Sequence, residues 1–157
     1  MKYNHNAVAR LCTNFDDSDW RAGILQGIRF RFQIVNIVNL GSNDMLRGLD
    51  PGLAHENLNQ ILDKLEARGI TSLLVGHLGP LNYGAEYKAQ YDRAFHELAT
   101  RYDVAFYPFY FKTLMAPDGV TLDLQNYFQA DGLHPNAEGV AAVVAGMGPY
   151  VLRALGR

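Results

Sequence analysis

Three short apolar runs alternate with stretches of helical periodicity, and this alternation constrains the chain more than any other feature. Gln33 to Leu40 reads Gln-Ile-Val-Asn-Ile-Val-Asn-Leu, a β-branched run that stops at Gly41 and predicts a strand feeding a loop. Asp50-Pro51 then predicts a helix start, with Asp50 as the cap and Pro51 in the first helical position. Leu53, Leu58, Ile61, Leu62 and Leu65 follow at helical spacing until Gly69. Ile70 to Leu78 predicts a second, buried strand broken by Gly79-Pro80. Ala85 to Tyr102 returns to helical periodicity through Tyr87, Tyr91, Phe95, Leu98 and Tyr102. Val104 to Phe109 reads as a third strand, and Asn136 to Leu155 as a closing helix. Further upstream, Ala7 to Thr13 reads as a strand and Trp20 to Phe30 as a helix despite Gly23 and Gly27. Such an order predicts a parallel sheet of about four strands, joined by right-handed crossovers with helices on both faces, in an α/β/α arrangement.

A length of 157 residues suits one domain with one core, here taken as 1–157. Fourteen basic against sixteen acidic residues leave a net charge of -2, so nothing draws the chain electrostatically to nucleic acid or an anionic membrane. A small molecule or a protein is the expected partner. The single Cys12 excludes an intramolecular disulfide framework and any multi-cysteine metal site. His5, His55 and His96 have no partners at ligand spacing and read as surface residues, so no metal or other cofactor is expected. The apolar runs are too short or interrupted to span a bilayer. Asn4, His5, Asn6 and Arg10 interrupt the stretch where an export signal needs an unbroken apolar run. The chain as written is therefore expected in the cytoplasm, or in the periplasm were an export signal to precede it.

Doubly wound sheets place their working groups in loops at the carboxyl ends of the strands, and two such loops hold distinctive strings. Gly41-Ser42-Asn43-Asp44 follows the first clear strand, and Asp131-Gly132-Leu133-His134-Pro135 precedes the last helix. An Asp three positions before a His, with Gly between, can turn back so that its carboxylate accepts from Nδ1, leaving Nε2 to act as a base. Asn43 offers an uncharged amide donor suited to an oxyanion that develops only in the transition state.

These strings resemble the third and fifth blocks of the SGNH (GDSL) hydrolases, in which Gly-x-Asn-Asp carries an oxyanion-hole Asn and Asp-x-x-His carries the acid and base of a serine triad. Leu40 to Asp50, Asn82-Tyr83-Gly84, Tyr107-Pro108-Phe109 and Asp131 to Asn136 are similar to stretches of the arylesterase, thioesterase I and lysophospholipase L1 branch. The resemblance runs over 33–157 and implies a flavodoxin-like parallel sheet. It also implies a small ester or thioester substrate, with Asp131 and His134 catalytic, Asn43 in the oxyanion hole, and Gly41, Ser42 and Tyr83 near the substrate.

Residues before Gln33 depart from the family pattern, falling short by on the order of 30 residues, one βα unit. Phe15-Asp16-Asp17-Ser18-Asp19 is nearest to the nucleophile block. Two readings stand. In one, Ala7 to Thr13 is the nucleophile strand, Ser18 is the nucleophile and contributes its amide to the oxyanion hole, and the next unit with its oxyanion-hole Gly is lost, so the enzyme is weak. In the other, Asp16 to Gly23 is a remnant of the second block, and the domain is inactive and binds a ligand or associates with itself. A homodimer is compatible with both. Ser42 shares the right loop but occupies the variable position of its block. The simpler structural roles remain alongside: Asp44 as a turn cap, His77 as a partly buried strand-end residue, the aromatics from Tyr83 to Tyr102 as helix packing, and Arg47 as a solvated cation rather than an anion site.

Overall fold

The computed structural model describes residues 35–156, and the strand and helix expected over Ala7–Thr13 and Trp20–Phe30, with Cys12 and Ser18, lie outside them. The described elements run in the order β1 (Val35–Val38), α1 (Ser42–Leu46), α2 (Pro51–Glu66), β2 (Thr71–Val75), a 3-10 turn (Leu81–Tyr83), α3 (Ala85–Arg101), β3 (Ala105–Tyr107), a second 3-10 turn (Lys112–Leu114), α4 (Leu124–Tyr127) and α5 (Ala137–Ala154). β2 and β3 are shorter than the apolar runs that signalled them, and the carboxyl ends of those runs, Gly76 to Leu78 and Pro108-Phe109, pass into loops. Three of the roughly four expected strands fall among the described residues. They pair in parallel in the order β1-β2-β3, with Val38 opposite Leu74 and Val75 opposite Tyr107.

Period-two alternation along β2 divides the core in two. Leu74 points to one face with Val38, where Ala54, Leu58 and Leu62 of α2 meet Tyr91, Phe95 and Leu98 of α3. Leu73 and Val75 point to the other, where Tyr107 meets Leu114, Phe128 and the α5 residues Val143 and Met147. Both crossover helices therefore share one face and α5 covers the opposite one, giving the three layers the alternation predicts. Leu53 is an exception to the helical stripe: it is 53% exposed, because the buried face of α2 runs through Pro51, Ala54, Leu58 and Leu62.

Capping follows the expected chemistry. The Asp50 carboxylate accepts from the Gly52 amide at 2.9 Å with Pro51 in the first helical position, and Asn136 Oδ1 accepts from the Gly139 amide at 2.9 Å to start α5. The direction of α5 matters for the site. Its last residues, Arg153 and Ala154, line a cleft with Ile70, Thr71, Val104 and Ala105, the entering ends of β2 and β3. Eighteen helical residues span about 27 Å, more than the length of these strands, so the start of α5 and the turn before it lie at the carboxyl rim of the sheet.

Candidate active site

At that rim the 131–134 turn is folded by its own residues. Asp131 Oδ1 accepts from the amides of Leu133 at 2.9 Å and His134 at 3.0 Å, and Oδ2 lies 2.8 Å from His134 Nδ1. Gly132 takes φ +65°, a left-handed conformation that lets the chain reverse within these four residues. A flanking bond from the Gln129 amide to the His134 carbonyl, 2.8 Å, and one from Gln129 Nε2 to the Pro135 carbonyl, 2.9 Å, close the loop. The two backbone amides, then the imidazole, hold the Asp131 carboxyl down at about 2. Asp131 thus stays ionised through the neutral range. Its contribution to stability is present above the ordinary carboxylate value and lost as pH falls through about 2. An ionised carboxylate on Nδ1 fixes the ring's orientation and tautomer and stabilises the imidazolium that forms when Nε2 takes a proton.

The Gly41–Leu49 segment leaves the same rim from β1. Gly41 has φ +102° and caps α1, its carbonyl accepting the Met45 amide at 3.0 Å. A Cβ on Gly41 would lie 2.8 Å from the Tyr91 hydroxyl, so both its conformation and its close neighbour require glycine. Ser42 is the first residue of α1 and Asn43 the second, with the Asn43 side chain exposed. Asp44 is not the expected turn cap: its carboxylate bonds no backbone amide among the described residues, because the Gly41 carbonyl and the one-turn helix already pair the amides near it. Tyr83 packs its ring on Gly48 and donates to the Leu46 carbonyl at 3.0 Å, closing the far end of the segment. Arg47 is exposed.

Between these two regions, just beyond β2, His77 is 5% exposed with Nε2 2.9 Å from Asn39 Oδ1. With the Asn39 oxygen facing it, Nε2 carries the proton. The ring lies against Phe95 and Tyr110 at centroid distances of 5.7 and 6.0 Å, and burial pushes its pKa down to about 4, so His77 is neutral at pH 7. This matches the structural role read from its place at a strand end. Asn39, its partner, was not singled out from sequence; an amide two residues before a left-handed Gly at a strand end is the signal that could have found it.

Ser18 lies outside the described residues. No group of three or more His, Cys, Asp or Glu among the described residues has the geometry to hold a metal ion, and no described helix is long and apolar enough to cross a membrane. The cleft of about 520 Å³ beside Ile70, Val104 and Arg153 opens at the amino ends of the strands, the rim opposite the Asp131–His134 pair.

The chain is similar to known proteins. Esterase TesA of Pseudomonas aeruginosa is 36% identical over 99 residues, 63% of this chain and 46% of that protein. The Escherichia coli thioesterase 1/protease 1/lysophospholipase L1 is 32% identical over 102 residues, 65% of this chain and 46% of that protein. This chain therefore spans about half the length of the curated relatives it matches. A crystal structure of TesA superposes with a TM-score of 0.65 at 29% identity, covering 75% of this chain and 62% of that one. The family model described as GDSL-like Lipase/Acylhydrolase matches residues 3–142, which takes in the Gly41–Asp44 string, the Asp131–His134 pair and most of the segment before β1. With nine-tenths of its length inside that match, the chain belongs to the GDSL-like lipase/acylhydrolase family.

Proposed function

We propose that this chain hydrolyses small acyl or aryl esters, or acyl thioesters, through a covalent acyl-enzyme. The observation that carries the reading is the Asp131 carboxylate, 2.8 Å from His134 Nδ1 and ionised by two backbone amides. In the reaction, a serine hydroxyl adds to the substrate carbonyl carbon while its proton passes to His134 Nε2. Asp131 stabilises the resulting imidazolium, and the Asn43 amide donates to the tetrahedral oxyanion. Collapse expels the alcohol or thiol, which leaves with the proton from His134. Water then attacks the acyl-enzyme, with His134 again as base, and releases the carboxylic acid and the serine. Ser18 is the serine assigned by family resemblance, its amide the second oxyanion donor. Gly41, Ser42 and Tyr83 are the proposed neighbours of the substrate.

The names of the relatives, esterase and thioesterase/lysophospholipase, support this reading for a chain half their length. A second reading, an inactive domain that binds a ligand or a second copy of itself, draws on Asp16, Asp17 and Asp19, whose charges flank Ser18 in the sequence and would oppose a developing oxyanion. The test is turnover of p-nitrophenyl acetate and of a short acyl thioester by the wild type and by His134→Ala. Turnover that disappears in the variant is the expected result. Equal turnover in both overturns the assignment of the base, and an inert wild type favours the second reading.

A further inference from the structure

Asn43 sits in a helix of five residues, a length that cannot hold its own shape in water. What holds it comes from elsewhere. Tyr83, Tyr87 and Tyr91 follow at intervals of four, in and just after the 3-10 turn that opens α3, with ring centroids 5.1 and 5.9 Å apart along the row. Each hydroxyl donates to a main-chain carbonyl of the Gly41–Leu49 segment. Tyr91 bonds Gly41 at 2.5 Å, Tyr83 bonds Leu46 at 3.0 Å, and Tyr87 bonds Leu49 at 3.0 Å with the Met45 carbonyl at 3.5 Å. The three bonds bracket Asn43. Tyr91 is the deepest of them, 1% exposed and packed on Phe95, and its acceptor, the Gly41 carbonyl, also receives the Met45 amide that closes the turn of α1.

We propose that Tyr83, Tyr87 and Tyr91 form a positioning ladder that aims the Asn43 amide at the oxyanion, with Tyr91 the decisive rung. The proposal rests on Asn43 being the oxyanion donor of the function proposed above. A donor is effective only when its direction is set before the charge develops, so loosening its turn reduces transition-state binding more than ground-state binding. Tyr91→Phe removes one oxygen and keeps the ring packing. Its expected effect on p-nitrophenyl acetate is a fall in kcat of about tenfold with KM within about twofold. Tyr102→Phe, which deletes a hydroxyl bonded to Asn59 on the far end of α3, should leave kcat unchanged.

In an Asn43→Ala background Tyr91→Phe should cause no further loss, because the group it positions is gone. Independently of activity, amide exchange at Met45 should quicken several-fold in Tyr91→Phe and not in Tyr102→Phe. Equal losses of kcat with and without Asn43, or an unchanged kcat, overturn the ladder. Should the wild type show no turnover, the proposed function fails by itself, and Met45 exchange decides the ladder: faster exchange upholds it and unchanged exchange overturns it.

Discussion

The hydrogen bonds made by Asp131 and by the main chain of 129–135 span two to six residues, whereas the Gly41–Leu49 segment is held by hydroxyls 37 to 50 residues away. Both lie at the carboxyl rim, and both are expected to serve one reaction. The difference is in what each can tolerate. A turn that folds from its own sequence can sit exposed in solvent, as Asp131 and His134 do, with side chains about half accessible. A segment whose local bonds close little more than one helical turn needs further partners, and Tyr83, Tyr87 and Tyr91 supply them, Tyr91 from the hydrophobic layer beneath. The proposed acid and base are therefore set by chemistry along the chain, and the proposed oxyanion amide by packing through the fold.

The sharpest way to break this comparison is to remove each function and ask whether structure goes with it. His134→Ala should lower kcat/KM for aryl esters by on the order of 10³-fold while leaving the melting temperature unchanged, because the ring is exposed and its turn is shaped by Asp131 and the backbone. A large fall in melting temperature would show that the turn is not self-supporting. Asn43→Ala should reduce kcat by about 10²–10³-fold, again without loss of stability, since its side chain is exposed. Comparison of kcat with thermal unfolding for the two variants checks both expectations.

Stability effects sharpen the contrast further. His77 is buried neutral, so the unfolded chain binds its proton more readily than the folded one. The stability this provides is complete above about 6.5 and is lost as pH falls towards 4, on the order of 3 kcal/mol. His77→Gln keeps a donor for Asn39 and cannot titrate, so its urea-unfolding free energy should decline less than that of the wild type between pH 7 and pH 4. Parallel declines would contradict the burial of His77. The smallest effect is expected at Gly132, whose φ of +65° makes alanine strained by about 1 kcal/mol even though a Cβ there would meet open space. Gly132→Ala should speed amide exchange at Leu133 and His134 while leaving Met45 untouched.

The same contrast explains what was legible in the sequence. The Asp131–His134 pair was readable because spacing and one glycine suffice to form it. Pro51 after Asp50 marked a helix start for the same local reason, and that cap is made. The three described strands were readable from β-branched runs, but not their short extents, since pairing rather than composition ends a strand. The role of the tyrosines was not readable. Their helical spacing said only that they pack, and nothing local tells that a hydroxyl on α3 meets the carbonyl of Gly41 fifty residues away. Asp44 was misread as a cap for a related reason, because the Gly41 carbonyl had already paired the nearby amide.

The central claim is that the Asp131-oriented imidazole of His134 activates a serine. Its most direct test is labelling with a fluorophosphonate, followed by mass-spectrometric mapping of the adduct in the wild type, Ser18→Ala and His134→Ala. The account predicts one adduct on Ser18 in the wild type, absent from Ser18→Ala and reduced by orders of magnitude in His134→Ala. No adduct in the wild type, or one formed equally fast without His134, would contradict it.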